Sequence, residues 1–302
     1  MKILITGSTG FIGQEVIAQK ASFRCVIRDG ESSSCDDVFI IGGLDKNTCW
    51  DAGLKNINVV IHLAGIAHNK NVSQEYLRSV NTEGTLHLAR EAARLGVKRF
   101  VFVSSIGVNG TFTDKMPFNI NSIANPHNHY AQSKYEAELG LKKIADETCL
   151  EVVIVRPTLV YGVNAPGNFG MLTKLVRLLP FLPFGLVNNR RSFISVKNLA
   201  SLLLECATNP NAAGHIFLAS DCDTISTKQL TNAIAEGLGK KVIQLPIPTS
   251  FMRICGKLAG KSAVIEQLLG NLEVDSSNLQ DVLGWTPPLS MSQAMACLRE
   301  LK

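Results

Sequence analysis

Hydrophobic residues along the first two-thirds of the chain fall into short unbroken runs separated by longer amphipathic stretches. The runs are Ile3–Thr6, Phe23–Ile27, Val38–Ile41, Val59–Leu63, Phe100–Ser104 and Val152–Arg156. Between them the spacing predicts helices from about Phe11 to Lys20, over Ser73–Gly96 and over Tyr130–Glu147. In the helix over 73–96, Tyr76, Val80, Leu86 and Ala89 stand among charged residues, as suits a face buried against a neighbour. Runs apolar on both faces and separated by helices predict a parallel sheet covered on both sides. Ligands of such sheets sit at the carboxyl ends of the strands.

After Pro166 the rhythm becomes Pro- and Gly-rich, although Arg191–Val196 and His215–Ala219 still read as strands that could return to the sheet. The expected fold is α/β, a doubly wound parallel Rossmann sheet with a smaller mixed C-terminal substrate lobe. Residues 1–165, with the strands near 191–219, form the first unit, and 166–190 with 220–302 the lobe. No internal repeat or low-complexity segment interrupts this plan.

Composition narrows the class. The 302 residues are 46% hydrophobic and 18% charged, within the globular norm, which rules out a disordered or fibrous chain. A net charge of +5 is too small and too scattered for a nucleic-acid surface, yet suits a cleft for an anionic ligand. Eight cysteines with no C-x-x-C pair exclude a zinc finger and give no reason for disulfides, so all are expected reduced; no metal site is expected. The N-terminal apolar run is too short for a signal peptide, and Met171–Val187 is broken by Lys174, Arg177, Pro180 and Pro183. The expectation is a soluble cytoplasmic protein without membrane or nucleic-acid partners.

Thr6-Gly7-Ser8-Thr9-Gly10-Phe11-Ile12-Gly13 follows the first strand and opens the first helix. Glycines there let the backbone turn sharply and approach a pyrophosphate, which the helix N-terminus stabilises. At the second strand's end, where NAD enzymes usually carry Asp or Glu, stands Arg28, with Asp29 behind it. An Arg can accommodate a 2′-phosphate, so the cofactor is NADP or NAD, with a lean toward NADP.

Tyr130-Ala131-Gln132-Ser133-Lys134 puts a phenol and an ammonium on one helix face. A tyrosine of ordinary pKa near ~10 is too weak a base at neutral pH. A nearby ammonium and an oxidised nicotinamide both favour the phenolate. Ser104-Ser105, ending the preceding strand, offers a hydroxyl for the substrate oxygen.

These motifs resemble the extended short-chain dehydrogenases/reductases that act on nucleotide sugars, in particular the UDP-sugar 4-epimerase-like group with its 4-ketoreductases. The resemblance runs over essentially the whole chain. Further motifs are His62-Leu63-Ala64-Gly65, Val80-Asn81-Thr82-Glu83-Gly84-Thr85, Arg156-Pro157-Thr158-Leu159-Val160-Tyr161-Gly162, Arg191–Val196 and Leu283-Gly284-Trp285-Thr286-Pro287.

The resemblance implies that Ser105 binds substrate, Tyr130 is the acid/base, and Lys134 holds the nicotinamide ribose and tunes Tyr130. Gly7, Thr9, Gly10, Phe11, Ile12 and Gly13 would line the dinucleotide with Leu63, Ala64, Gly65 and Pro157. Asn168 and Arg191 would hold the UDP pyrophosphate, and Asn109 would border the sugar. His62 is read as a packed strand-end residue and Asn81 as a brace for the loops.

Three departures stand out. Gly42-Gly43-Leu44 lacks the usual carboxylate near adenine unless Asp45 takes its place. Asn109 replaces a tyrosine, and no Arg-Pro-Gly-Asp precedes Asp275, which leaves Lys257 or Lys261 as substitutes. No carboxyl group follows Ser105 in Ile106-Gly107-Val108-Asn109, which argues against dehydration and oxidative decarboxylation. What remains is hydride transfer at a secondary alcohol or ketone, which the resemblance places at C4 of a UDP-hexose in bacterial surface-polysaccharide synthesis. A 4-ketoreductase is slightly favoured by Arg28 and Asn109, against a 4-epimerase with tightly held NAD. A non-catalytic NADP-binding regulator is the remote alternative, since such proteins typically lose the Tyr/Lys pair. A homodimer through the helices over 73–96 and 130–147 is expected.

Overall fold

The computed structural model describes residues 1–67 and 72–301. The first half of the chain runs β1 (Lys2–Thr6), α1 (Phe11–Ile17), β2 (Ser22–Arg28), β3 (Val38–Ile41), β4 (Val59–His62), α2 (Gln74–Arg78), α3 (Thr85–Arg94), β5 (Arg99–Val103) and α4 (His129–Glu147). The second half continues with β6 (Glu151–Pro157), β7 (Leu159–Tyr161), α5 (Gly167–Leu178), β8 (Phe181–Leu182), β9 (Arg191–Ser195), α6 (Val196–Thr208) and β10 (Ile216–Ala219). It closes with β11 (Thr224–Ile225), α7 (Thr227–Gly237), β12 (Ile243–Gln244), α8 (Thr249–Leu258), α9 (Ser262–Leu269), α10 (Ser277–Leu283) and α11 (Met291–Ala296).

Seven strands form one sheet in the order β10-β6-β5-β4-β1-β2-β3, and every neighbouring pair is parallel. Alternation along the central strands explains their unbroken apolar runs, because both faces are covered there. Ile3, Ile5, Val59, Ile61, Val101 and Val103 point to one core with Val16 of α1 and Leu199 and Leu203 of α6. Leu4, Val60, Phe100 and Phe102 point to the other, with Leu88 of α3 and Leu141 and Ile144 of α4.

Reversal of strand order between β1 and β4 puts the crevice at their carboxyl ends. A third core, around Phe169, Phe184, Leu230, Ile234 and Met295, unites α5, α7 and α11. Trp285 and Leu279, from the C-terminal part, pack instead into the first sheet core.

Three expectations change. The strand over Arg191–Ser195 does not return to the main sheet: β9 lies between β11 and β7 in a separate three-stranded sheet. Only the strand at 216–219 returns, beside β6. The helix over 73–96 is interrupted by a π turn at Ser79–Gly84, which widens the backbone around Asn81. The thiols are not all reduced, for Cys25 of β2 and Cys35 are joined, S–S 1.97 Å. Cys25 pairs in register with Val38, so the segment entering β3 brings Cys35 alongside it. Among the described residues no helix is long and apolar enough to cross a membrane.

Candidate active site

The glycine-rich turn folds for steric reasons that leave no choice of residue. Gly7 has φ +71°, and a Cβ there would lie 2.8 Å from the Ala64 nitrogen. A Cβ on Gly13 would meet the Gly7 carbonyl oxygen at 2.2 Å. The turn is thereby pressed against Leu63 and Ala64, whose amides bond to Thr6 O at 3.2 Å and Thr6 Oγ1 at 3.3 Å. Gly10 is the N-cap of α1 without a side-chain cap, and Phe11 packs toward the third core. Thr9, Ile12, Gly65 and Pro157 occupy the same carboxyl edge, at the ends of β1, β4 and β6 or just beyond them. This backbone cradle, which side chains on its glycines would obstruct, fits a dinucleotide diphosphate.

Asn128 caps α4, its Oδ1 accepting from Ala131 N at 2.8 Å. The cap fixes the first turn and with it Tyr130. Lys134 and Glu138 follow at four-residue intervals, so three functional groups share one face.

Tyr130 is half-buried, and its hydroxyl is hydrogen-bonded to Ser105. Burial pushes the phenol up to about 12, while the Ser105 bond pulls it down. Lys134 is buried; its Nζ donates to Val103 O at 3.0 Å and lies 4.7 Å from the centre of the Phe102 ring. Burial lowers its ammonium to about 8, and the Glu138 carboxylate opposes that shift. Within the protein's own groups, burial and the Ser105 bond are what shift Tyr130.

Asn81 braces the loops as expected: it accepts from Ile66 N at 2.8 Å and donates to Ile66 O and Ser133 Oγ, both at 3.1 Å. A Cβ on Gly65 would sit 3.0 Å from Asn81 Oδ1 and 3.2 Å from Lys134 Nζ, so β4, the π turn and α4 converge there. His62 is fully buried between Thr6 Oγ1 at 2.7 Å and Thr85 Oγ1 at 2.9 Å. Burial drops it to about 3, so it is neutral and structural.

Asn109, expected beside the sugar, has its side chain taken up inside the protein. Its side chain is buried, accepting from Arg156 Nη1 at 3.0 Å and reaching Ser122 O at 3.5 Å. Arg156 in turn binds both oxygens of Glu138, which also accepts from Ser104 Oγ at 2.5 Å. Glu138 is the residue that the motif reading missed. Its position, four after Lys134, was the available signal.

At the second strand's end Arg28 is claimed by Glu31. Nε donates at 2.9 Å and Nη2 at 2.5 Å to Oε1, while the Arg28 amide donates to Oε2 at 3.0 Å. These bonds, the backbone one foremost, hold the Glu31 carboxyl below its ordinary range, and Thr9 adds another. A turn through Gly30, φ +80°, makes the contact possible. The basis for a lean toward NADP is thus removed. The Asp45 carboxylate is engaged locally, its Oδ1 accepting from Asn47 N at 2.7 Å.

Asn168 in the first turn of α5 donates to Gln267 Oε1 at 3.0 Å, and Arg191 Nη1 donates to Gly270 O at 3.1 Å. The end of α9 therefore touches both. Arg191 has no carboxylate partner among the described residues, and burial lowers its guanidinium to about 10. A desolvated, unpaired cation favours an anionic ligand. Lys257 lies in the last turn of α8 and Lys261 precedes α9, both exposed.

A doubly wound sheet with a glycine cradle, a Ser–Tyr–Lys group and a separate cationic lobe defines an enzyme of the short-chain dehydrogenase/reductase type. The chain belongs to the NAD dependent epimerase/dehydratase family, whose sequence profile matches residues 3–219. It is 39% identical over 302 residues to the UDP-glucose 4-epimerase of Vibrio cholerae, covering 96% of this chain and 92% of that one. It is 26% identical to an N-acetyl-alpha-D-glucosaminyl-diphospho-ditrans,octacis-undecaprenol 4-epimerase of Escherichia coli O157:H7, covering 97% and 92%. In fold it is similar to the Bordetella bronchiseptica enzyme WbmG, solved in complex with NAD and UDP. The TM-score is 0.72 at 18% identity, covering 98% and 92%.

Proposed function

We propose that this protein is a UDP-hexose 4-epimerase that keeps NAD bound through its catalytic cycle. The observation that carries the proposal is the Ser105–Tyr130–Lys134 arrangement at the sheet's carboxyl edge, with no carboxyl group in the segment after Ser105. Such a set handles a proton at one alcohol oxygen and nothing more. Whole-length similarity to a UDP-glucose 4-epimerase, and the loss of Arg28 as a free phosphate reader, support epimerisation over ketoreduction.

NAD bound in the glycine cradle would supply reversible hydride transfer at C4. Tyr130 takes the proton from the sugar O4 and returns it, with Ser105 holding the same oxygen. Lys134 fixes the nicotinamide ribose and favours the phenolate. Arg191, with Asn168, holds the diphosphate so that the hexose can turn between hydride removal and return. The homodimer belongs to the same proposal, through α2–α3 and α4, where Tyr76 and Leu139 stand exposed.

Denaturing the purified protein and identifying the released nucleotide tests this function. Stoichiometric NAD, with interconversion of UDP-glucose-type and UDP-galactose-type sugars, is expected. An empty site that fills with added NADPH would instead favour a 4-ketoreductase.

Cofactor choice gives a separate prediction. Glu31→Gln removes the carboxylate charge that holds Arg28, so binding of NADPH relative to NADH should rise at least ~10-fold, the scale of one charge-assisted bond. Unchanged relative affinities in fluorescence titrations would show that Glu31 does not decide the preference.

Arg191→Ala should cost roughly 1.5–3 kcal/mol of UDP affinity, the scale of a hydrogen bond to a charged group. Part of that loss should appear in turnover, because a sugar not held by its diphosphate drifts from the reacting position. Arg191→Lys should recover only part, since an ammonium lacks the planar fork. Unchanged UDP binding by calorimetry would move the diphosphate site elsewhere.

A further inference from the structure

More than half of the exposed large hydrophobic side chains among the described residues fall between Met171 and Leu186 or between Ile243 and Val264. The densest group is on α8. This helix buries Met252 and Gly256, and a Cβ on Gly256 would meet Ile265 Cγ1 at 2.5 Å, so that face is already used against α9. Its other apolar face carries Phe251, Ile254 and Leu258, which are 56%, 58% and 84% exposed. Spacings of three and four place them in one stripe along the helix. An apolar stripe of this size left in water marks a surface meant for contact.

Charge around the stripe points to what it contacts. No Asp or Glu occurs between Glu236 and Glu266, while Lys240, Lys241, Arg253, Lys257 and Lys261 all do. Arg253 is paired with Glu266 at 2.9 Å, but Lys241, Lys257 and Lys261 have no carboxylate partner among the described residues. The strand just upstream continues the pattern. β12 pairs with β8, setting exposed Ile243 opposite exposed Phe181, and no acidic residue lies between Glu151 and Glu205.

We propose that α8, with the β8–β12 edge beside it in sequence, docks this protein peripherally on an anionic lipid surface. Phe251, Ile254 and Leu258 enter the headgroup–acyl boundary while the lysines meet the lipid phosphates. Lysines and an arginine flanking an apolar stripe are the pattern of an interfacial helix. A second copy of the same surface is a poor occupant, because a symmetric contact would set these cations against one another. Gln267 and Gly270, at the end of the helix that α8 packs on, hold Asn168 and Arg191. Docking therefore brings the candidate sugar-diphosphate site toward the bilayer, a consequence that goes beyond the 4-epimerase function and does not depend on it.

The test is flotation of the full-length protein with vesicles of phosphatidylglycerol and phosphatidylcholine, against vesicles of phosphatidylcholine alone. Binding to the anionic vesicles should exceed binding to the neutral ones at least 10-fold and weaken in high salt. Ile254→Glu with Leu258→Glu should reduce it at least 10-fold. Both side chains are exposed, so the thermal midpoint should be unchanged, and Ile40→Glu, also exposed but on β3, should bind as wild type. Equal binding to neutral vesicles, no binding to either, or undiminished binding of the double variant would overturn the proposal. So would self-association that the double variant abolishes in the absence of lipid, which would assign the face to a second copy.

Discussion

Tyr130→Phe should lower turnover by at least ~100-fold, the usual scale for losing a general acid–base group. The ring and its packing remain, so NAD retention and UDP affinity should stay near wild type. The reason lies in how the phenol is held. Burial pushes Tyr130 up to about 12, and Ser105 offsets only part of that. Phenolate at neutral pH therefore requires positive charge close by, from the Lys134 ammonium and from an oxidised nicotinamide when bound.

The Lys134 ammonium is itself lowered to about 8 by burial, so it is protonated below that pH and neutral above it. As pH rises through about 8, the charge favouring phenolate disappears, and wild-type turnover should fall on that alkaline side. Lys134→Met should be slow throughout and should lack the alkaline limb. Near-normal turnover of Tyr130→Phe, or an alkaline limb that survives Lys134→Met, would contradict these assignments.

Glu138→Ala should destabilise the protein by about 3–5 kcal/mol, the cost of leaving one member of a buried ion pair without its partner. Side chains of Arg156 and Glu138 are 5% and 1% exposed. Removing the carboxylate strands the guanidinium where water cannot reach it and frees Ser104 Oγ. A paired change, Glu138→Met with Arg156→Met, should restore much of the loss, because apolar groups of similar size need no partner.

Denaturant midpoints followed by tryptophan fluorescence and by circular dichroism measure this together. A loss below ~1 kcal/mol, or a double variant no better than the single one, would mean that the pair is not the clamp described. Turnover should suffer beyond stability, even in folded protein at low temperature. Ser104 and Asn109 bracket the segment that carries Ser105, and both are tied to this pair. The paired variant should therefore recover stability more fully than turnover.

Much of this was local, and the local part is what sequence encodes. A strand buried on both faces must be apolar at every position, so the five central strands could be read from runs such as Val59–His62 and Arg99–Val103. A helix sets residues four apart on one face, so Tyr130 and Lys134 were bound to be neighbours once α4 formed. The glycines at 7 and 13 were equally forced, since any Cβ would collide with backbone.

Choice of partner was not local. Whether Asn109 faced a sugar or Arg156, 47 residues away, depended on how β6 lies beside the loop after β5. Whether β9 joined the main sheet depended on β7 and β11 competing for its edges. Arg28 looked free because its partner, three residues on, becomes a partner only when Gly30 adopts φ +80° and folds the chain back. Periodicity fixes which side of an element a residue occupies, for backbone geometry repeats along the chain. Pairing among polar and charged ends is decided only by packing, because a hydrogen bond needs its partner within about 3 Å and the tertiary fold alone supplies that distance.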